Sequence, residues 1–308
     1  MNMVVWILQL VLIPLASPLF IGMVKKIKAQ FQNRQGASVF QPYRDLWKLF
    51  HKDEIISKDA SVIFRIAPFI VFSITIIVGA SIPLFASFIK NGLTGDMLMI
   101  VYTLAIGTFF LALAGFDIGG AFGGFGSSRE MTVSALAEGG LIFSFVTVAL
   151  INHSGNLFTI SAADPFTHSV HFLSLILAFG GFFIVLLAET ARYPFDNPAT
   201  HLELTMIHEA MILEYSGKRL ALMEWAASNK FLIFCALCGN LFFPIGLAAN
   251  ASLGVLFIGI LSFLIKNSIF CLVIALIESS IAKSRFFRLP DLLMVSFILN
   301  VIAIGLIF

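Results

Sequence analysis

The sequence predicts an all-α polytopic membrane protein with about eight transmembrane helices and an amphipathic helix at the cytoplasmic membrane surface. Of the 308 residues, 59% are hydrophobic and only 12% are charged, and the mean hydropathy is +0.99. A water-soluble core of this size would leave much of that apolar surface exposed, whereas lipid can cover it. A fully buried soluble helical core is the alternative, but apolar runs near or above about 18 residues favour membrane spans. We therefore expect one integral membrane domain over residues 1–308.

Eight apolar segments are each long enough to cross a hydrocarbon layer of about 30 Å as a helix. They cover residues 3–24, 63–89, 97–116, 132–152, 168–189, 230–250, 252–279 and 291–308. The first segment has neither a preceding basic residue nor a small-residue cleavage site. It is therefore predicted to be a membrane helix rather than a signal peptide.

Basic residues are concentrated on one side of the predicted membrane domain. Seventeen of the 19 lysines and arginines fall in or beside four segments at about 25–62, 117–131, 190–229 and 280–290. Because cytoplasmic loops carry an excess of Lys and Arg, these segments are predicted to be cytoplasmic, with both termini on the outer side of the cell inner membrane. The net charge of +2 gives no reason to expect nucleic acid as a partner.

The stretch QPYRDLWKLFHK predicts a helix that lies parallel to the membrane surface. Tyr43, Leu46, Trp47 and Phe50 recur at helical spacing and share one face, while charged residues take the other. Such a helix buries its apolar face at the headgroup boundary, with the tryptophan at the interface. An ordinary surface helix docked on protein is equally compatible with this pattern.

Five ionisable groups lie inside or at the ends of the predicted spans. They are Asp117, Glu138, Glu189, Lys266 and Glu278. A charge in the hydrocarbon costs about 3 kcal/mol or more, so such groups are seldom scattered without a role. A polar path for protons or another ion is one interpretation. A set of ion pairs that fixes helix packing is the other.

The acids of this apolar chain gather in the stretch ETARYPFDNPATHLELTMIHEAMILEYSG. It contains Glu189, Asp196, Glu203, Glu209 and Glu214, together with His201 and His208. Like charges held together raise some carboxyl pKa values, which would favour proton exchange near neutral pH. A solvated helix face paired with Lys218 and Arg219 is the alternative. The two histidines, seven residues apart, leave a metal site open as a further hypothesis.

Other motifs predict no chemistry. The stretch GFDIGGAFGGFGSSRE follows no strand and lacks the Lys-Ser/Thr of a phosphate loop, so its glycines are predicted to allow close helix packing and a bent turn. Cys235, Cys238 and Cys271 lie within apolar runs and are predicted to pack in the core. His208-Glu209 lacks the second histidine of a zinc-protease motif.

Several motifs along the chain carry a resemblance to a known family. ETARYPFD, with the later EL and EYSG, resembles the cytoplasmic loop of the membrane heel subunit of respiratory complex I, the NADH dehydrogenase subunit 1 family. NRQGASVFQPYRDLWKLFHKDEI is similar to another segment of that family, and Arg129 and Glu138 match its Arg and Glu nine residues apart. ESSIAKSRFFRLPDLL and the length of 308 more closely resemble the homologous membrane subunit of energy-converting hydrogenases of the hydrogenase-4 and formate hydrogenlyase type.

This resemblance implies a non-catalytic membrane subunit of a hydrogenase-4-like or complex I-like oxidoreductase. Such a subunit anchors a soluble electron-transfer arm and couples redox chemistry to the translocation of protons or sodium. The implied partners are soluble iron–sulfur subunits, hydrogenase-like or dehydrogenase-like subunits, antiporter-like membrane subunits and membrane lipid. A quinone-binding subunit of an NADH dehydrogenase and a stand-alone ion or solute transporter are the alternatives.

The resemblance also implies that iron–sulfur and nickel–iron centres belong to the partners and that no cofactor is bound by this chain. Two departures from the complex I pattern weaken the case for quinone. Ala199 and His201 stand where that loop has glutamates, and TMIHEAMIL is three residues longer than expected.

The predicted site residues form two sets. Those expected to couple redox chemistry to ion movement are Asp117, Glu138, Glu189, Asp196, Glu203, Glu209, Glu214, Lys266 and Glu278. Those expected to dock the soluble arm or anionic headgroups are Arg34, Arg44, Lys48, Lys52, Arg129 and Arg192. Within the first set, Glu138, Glu189, Glu203, Lys266 and Glu278 are predicted to form a connected polar route between spans four, five and seven. Lys266 and Glu278, twelve residues apart, are taken to be about three turns apart on a similar face of span seven.

Overall fold

Eleven α-helices occur in the residues that the computed structural model describes, which are 2–57, 59–88, 95–163, 171–197, 206–282 and 284–308. The helices are α1 (Asn2–Phe31), α2 (Gln41–Phe50), α3 (Val62–Ser81), α4 (Met97–Asp117), α5 (Ala121–Asn152), α6 (Leu157–Ser161), α7 (Phe172–Glu189), α8 (His208–Ile212), α9 (Gly217–Leu241), α10 (Leu253–Ser280) and α11 (Leu289–Gly305). A short 3-10 helix, Phe286–Arg288, precedes α11. Over these described ranges no strand is present.

Eight of these helices are long and apolar enough to cross a membrane. They are α1, α3, α4, α5, α7, α9, α10 and α11 with its preceding 3-10 turn. The all-α polytopic class predicted from the apolar segments is therefore confirmed. Their outward faces carry many exposed large apolar side chains, which suits contact with lipid.

Two of the spanning helices begin earlier than the sequence predicts. Helix α5 starts at Ala121 rather than near residue 132, because most of the glycine-rich stretch is helical. The predicted bent turn is confined to residues 118–120, where Gly119 has a φ of +69°. A Cβ atom at Gly123 would lie 2.4 Å from the carbonyl oxygen of Gly115, so only glycine allows α4 and α5 to approach this closely. This close packing offsets the low helix propensity of glycine. Helix α9 likewise starts at Gly217 rather than near residue 230.

Two spans end earlier than predicted, and the chain continues there without helical structure. Helix α3 stops at Ser81, ahead of Pro83, and α9 stops at Leu241. The segments that follow pair with each other at buried residues: Ser87 N donates to the Ala248 carbonyl at 3.0 Å and Ala248 N donates to the Phe85 carbonyl at 2.8 Å. These bonds satisfy backbone groups that lipid cannot satisfy.

Helix α9 lies at the centre of the bundle and packs against α1, α3, α7 and α10. Its run from Phe231 to Leu241 is buried on every side, as expected for a helix that is hydrophobic all round. The three cysteines are buried free thiols in α9 and α10.

Helix α2 docks on the protein with one face and exposes the other. Pro42 and Leu46 are buried, and the Phe50 ring lies 6.0 Å from that of Trp225 in α9. The Tyr43 hydroxyl donates to the Leu15 carbonyl of α1. Trp47 is 69% exposed. The docked-helix and interfacial interpretations are thus compatible, since the exposed tryptophan remains free to enter the headgroup layer.

Candidate functional site

A cavity of about 610 Å³ lies where α1 and α2 face α5, α7, α8 and α9. Fourteen charged side chains of the described residues line it. Its cations are Lys25, Lys28, Arg34, Lys48, Lys52, Arg192 and Lys230, and its acids are Asp45, Glu130, Glu189, Asp196, Glu209, Glu224 and Glu278. So polar a cavity in so apolar a chain is the strongest candidate for a functional site.

Cations predominate on one wall of the cavity and acids on the opposite wall. Helices α1 and α2 and the residues that follow each supply five cations and one acid, Asp45. Helices α5, α7, α8 and α9 and the residues that follow them supply five acids and two cations, Arg192 and Lys230. Opposite charges on facing walls create a field across the cavity, and a change of charge at one wall is felt at the other.

The acidic wall holds a buried ion pair between α9 and α7. Lys230 Nζ lies 2.7 Å from Glu189 Oε2, and the Glu189 side chain is only 6% exposed. The same ammonium lies 3.5 Å from the Thr108 hydroxyl of α4. Glu130 and Glu138 of α5 are near enough to attract it electrostatically. Lys230 therefore has several oxygen partners within reach of one flexible side chain.

A second buried cluster joins three distant parts of the chain through Glu278 of α10. Its Oε1 accepts from Arg192 Nη1 at 3.0 Å and its Oε2 accepts from Lys28 Nζ at 3.1 Å. The Glu278 side chain is 2% exposed. The guanidinium carbon of Arg192 lies 4.6 Å from the centre of the Phe231 ring. This arrangement matches the ion-pair interpretation of the charged residues at the ends of spans.

Asp196 orders the start of α8. Its Oδ2 accepts hydrogen bonds of 3.1 Å from the backbone N–H groups of both Ile207 and His208. The orphan N–H groups of the helix terminus are thereby satisfied. Burial first, and then the charge of Lys230, lower the pKa of His208 to about 4 against the opposing effect of Asp196. His208 is therefore neutral at pH 7.

Glu209 titrates near neutral pH. Burial first, and then the charges of Glu224 and Asp196, raise its pKa to about 7 against the opposing effect of Lys25. The sequence predicted proton exchange from the clustering of like charges, but desolvation is the larger cause in the structure. A carboxyl group at the cavity wall can thus gain or lose a proton under physiological conditions.

Replacing Glu209 with glutamine should change the pH dependence of stability. The folded protein binds more protons than the unfolded chain between the ordinary pKa of 4.5 and the folded value of about 7, so stability falls as pH rises through that window. The Glu209→Gln variant lacks this loss. Its melting temperature relative to wild type should rise from about pH 5 to about pH 8, measured by thermal unfolding in lipid nanodiscs. Glu214→Gln, an exposed glutamate nearby, is the control, and identical profiles for both variants would contradict the assignment.

The remaining acidic predictions fall at separate places. Asp117 accepts from the Ser61 N–H at 2.9 Å and anchors the start of α3. Glu214 is exposed after α8. Glu138 lines a second cavity of about 450 Å³ between α4 and α5, and Thr108 lines both cavities. Glu203 and His201 lie outside the described residues.

The predicted docking residues fall at three places. Arg34, Lys48, Lys52 and Arg192 line the main cavity. Arg44 is exposed on α2. Arg129 donates to the Met206 carbonyl at 3.2 Å and lies over the Phe286 ring, so it ties α5 to the segment before α8.

Lys266 does not lie near the described carboxylates of the predicted polar route. Its ammonium donates to Asn240 Oδ1 at 3.2 Å, and it lines neither cavity. The predicted connection to Glu278 assumed a similar helix face. Twelve residues advance an α-helix by about 3.3 turns, however, which turns the two side chains about 120° apart. Lys266 is therefore removed from the predicted polar route, which stays a prediction for its other residues.

Sequence reasoning missed Glu130, Lys230, Lys28 and Thr108 as residues of the site. Glu130, Ser134 and Glu138 recur every four residues and share one face of α5. That spacing was a usable signal once the glycine-rich stretch was known to be helical. Lys28 and Lys230 gave no local signal, because their partners are distant in sequence.

Comparisons with known proteins agree over nearly the whole chain. The sequence model of the NADH dehydrogenase family matches residues 3–308. Hydrogenase-4 component C of Escherichia coli is 31% identical over 297 residues, which cover 96% of this chain and 92% of that protein. Formate hydrogenlyase subunit 4 of the same organism is 28% identical, with 91% and 90% covered. A related NADH-quinone oxidoreductase subunit of Ehrlichia chaffeensis is 29% identical, with 88% and 78% covered.

A solved structure has the same fold. It is a chain of the membrane-bound sulfane sulfur reductase, an archaeal respiratory membrane complex, and it superposes with a TM-score of 0.81 at 18% identity. The match covers 98% of this chain and 99% of the other.

Proposed function

This chain belongs to the NADH dehydrogenase family, and from that premise we propose that it is the non-catalytic membrane subunit through which a hydrogenase-4-like or complex I-like oxidoreductase couples electron transfer to ion movement. The coarser part of this statement, a multi-pass membrane subunit of a complex I-like assembly, follows from the family and its eight spanning helices. Anchoring of a soluble arm and ion translocation are the parts that we infer.

The observation that carries the proposal is the cavity with facing basic and acidic walls. A redox reaction at a docked subunit changes charge or proton demand near the cavity. Glu209, with a pKa of about 7, is able to answer such a change by exchanging a proton. The field across the cavity then alters the balance between Lys230 and its acidic partners.

The ammonium of Lys230 can take two positions, depending on the protonation of Glu189. When Glu189 carries its charge, the ammonium stays 2.7 Å from it. When Glu189 is protonated, Lys230 is released toward Thr108 and the carboxylates of α5. Because Thr108 also lines the cavity of Glu138, this movement connects the inner cavity to the flank of α4 and α5. Protons and sodium ions are both compatible with such a carboxylate route.

The basic surface of α2 is proposed to receive the soluble arm. Reversing two charges with Arg44→Glu and Lys48→Glu should reduce the amount of soluble subunits that co-purify with the membrane part, since both side chains are exposed on α2. The measurement is the ratio of soluble to membrane subunits in the purified complex. Arg285→Glu with Arg288→Glu, two exposed arginines ahead of α11, is the charge-matched control. A wild-type ratio in the α2 variant would remove α2 from the docking surface.

Partner identity and cofactors complete the proposal. We place iron–sulfur and nickel–iron centres in soluble partners, antiporter-like subunits in the membrane beside this chain, and both termini on the outer side of the inner membrane. Quinone is a second candidate for the cavity, since Ile21, Ile74 and Leu104 give it an apolar portion.

The test is purification of the intact complex and its reconstitution into vesicles. We expect soluble redox subunits to co-purify and electron transfer to drive ion movement across the vesicle membrane. Adding quinone to the same vesicles tests whether it serves as the electron acceptor. A chain that is purified alone and moves a solute without redox partners would instead support a stand-alone transporter. Spectroscopic assignment of a metal cluster to Cys235 and Cys238 would overturn the non-catalytic role.

A further inference from the structure

Lys266 has an electrostatic environment unlike that of the other span charges. It is residue 14 of the 28 in α10, so about 20 Å of helix separates it from each end. Glu278 is neutralised by Lys28 and Arg192, and Lys230 by Glu189. Among the described residues, the polar partner of Lys266 is the neutral amide of Asn240.

Asn240 is fixed in a way that presents its oxygen to the lysine. Its Nδ2 donates to the carbonyls of Pro83 and Leu84 at 2.6 and 2.9 Å, and the residue is 3% exposed. With the nitrogen committed, Oδ1 faces Lys266 at 3.2 Å. This contact holds the ammonium in place but supplies no counter-charge. A cation left without a counter-charge in a span is strongly unfavourable.

The side of α10 next to Lys266 is an unoccupied apolar surface. Its exposed residues at helical spacing are Phe257, Leu261, Ile265, Ile269, Leu272 and Leu276. Lys266 itself is partly exposed between Ile265 and Asn267, the latter buried. Lys266 lies at the edge of this row, because its Cβ and Cδ pack on Gly239 of α9. Its exposed neighbours on the same side of the helix are Ile269 and Val273, three and seven residues further on. A second helix placed beside those two residues would pass next to Lys266.

We propose that this face of α10 binds a transmembrane helix of another membrane subunit, and that the helix carries an aspartate or glutamate which pairs with Lys266. The proposal rests on the proposed function in one respect, because it needs a complex with a second membrane subunit. Charge complementarity selects the occupant: an apolar face alone would be satisfied by lipid, whereas the ammonium needs an anion at its own depth. Along α10 itself, about 20 Å of helix separates Lys266 from either end, which is well beyond the reach of a lysine side chain.

The test places a photoreactive benzophenone amino acid at Ile269 in the intact complex, one turn from Lys266 on the exposed row. We expect a crosslink to a membrane subunit, mapped by mass spectrometry to a helix with an acid at the matching depth. Lys266→Glu should then lower the recovery of that subunit by about tenfold or more, because two like charges would meet in the interface. Lys266→Arg should retain it, and replacing the partner's acid with lysine in the Lys266→Glu background should restore it.

Three results would overturn the inference. They are a crosslink to phospholipid alone, a crosslinked helix without an acid, and wild-type recovery of every membrane subunit in the Lys266→Glu complex. Failure of the proposed function has a different signature, since wild-type preparations would then lack soluble redox subunits altogether. Lys218→Glu, an exposed lysine at the start of α9, controls for a general effect of charge reversal on assembly.

Discussion

Replacing Glu278 with glutamine will destabilise the membrane domain by about 3–5 kcal/mol, the usual cost of removing one member of a buried ion cluster. The carboxylate is 2% exposed and is the acid that both Arg192 and Lys28 contact. Glutamine keeps the size of the side chain but leaves the buried Arg192 and the partly buried Lys28 side by side without their acid. The measurement is the free energy of unfolding, obtained by denaturant titration in mixed micelles.

Two further variants distinguish the effect of burial on the loss of stability from the effect of the number of cations left unpaired. Lys28→Gln should cost much less than Glu278→Gln, because it leaves a one-to-one pair between Arg192 and Glu278. Glu54→Gln removes the partner of Arg219 in a pair whose side chains are 23% and 18% exposed, and it should cost at most about 1 kcal/mol. If Glu278→Gln and Glu54→Gln were equally stable, the cluster would not hold α1 to α10.

The membrane fold could be predicted because lipid exposure leaves a direct mark on composition. Eight apolar segments gave eight spanning helices. The starts of α5 and α9 were hidden for separate reasons. The first turns of α5 were missed because glycine has a low helix propensity, which is visible in the sequence. The close helix packing that offsets this propensity is not visible there. Lys218, Arg219 and Glu224 made the start of α9 resemble a loop, although they lie on a helix whose inner end meets polar protein surface and the cavity.

The site could be predicted only where its residues are neighbours in sequence. Glu189, Asp196 and Glu209 belong to one short stretch, and the structure places all three at the same cavity. Lys28 and Glu278 are 250 positions apart, and the sequence around either residue does not predict their ion pair. For Lys266, the approximation that three turns return to the same face was wrong by about a third of a turn.

Replacing Lys230 with methionine will abolish redox-driven ion movement while leaving electron transfer to a soluble artificial acceptor. The ammonium is the one cation that α5, α7, α8 and α9 contribute to the cavity, and it lies between Glu189 and Thr108. Methionine keeps the length of the side chain but can neither pair with Glu189 nor move toward the carboxylates of α5. The measurement is the number of ions moved per electron in reconstituted vesicles, which should fall about tenfold or more if the switch lies on the route.

A structural role for Lys230 predicts a different result in the double variant. Lys230→Met alone leaves the buried Glu189 carboxylate without its 2.7 Å partner, so the single variant should also lose stability. Adding Glu189→Gln removes that orphaned charge, and the double variant should regain much of the lost stability. If the pair only fixed the packing of α7 against α9, ion movement would return together with stability. If Lys230 carries the coupling, stability returns and ion movement does not, while Lys218→Met on the same helix leaves both unchanged.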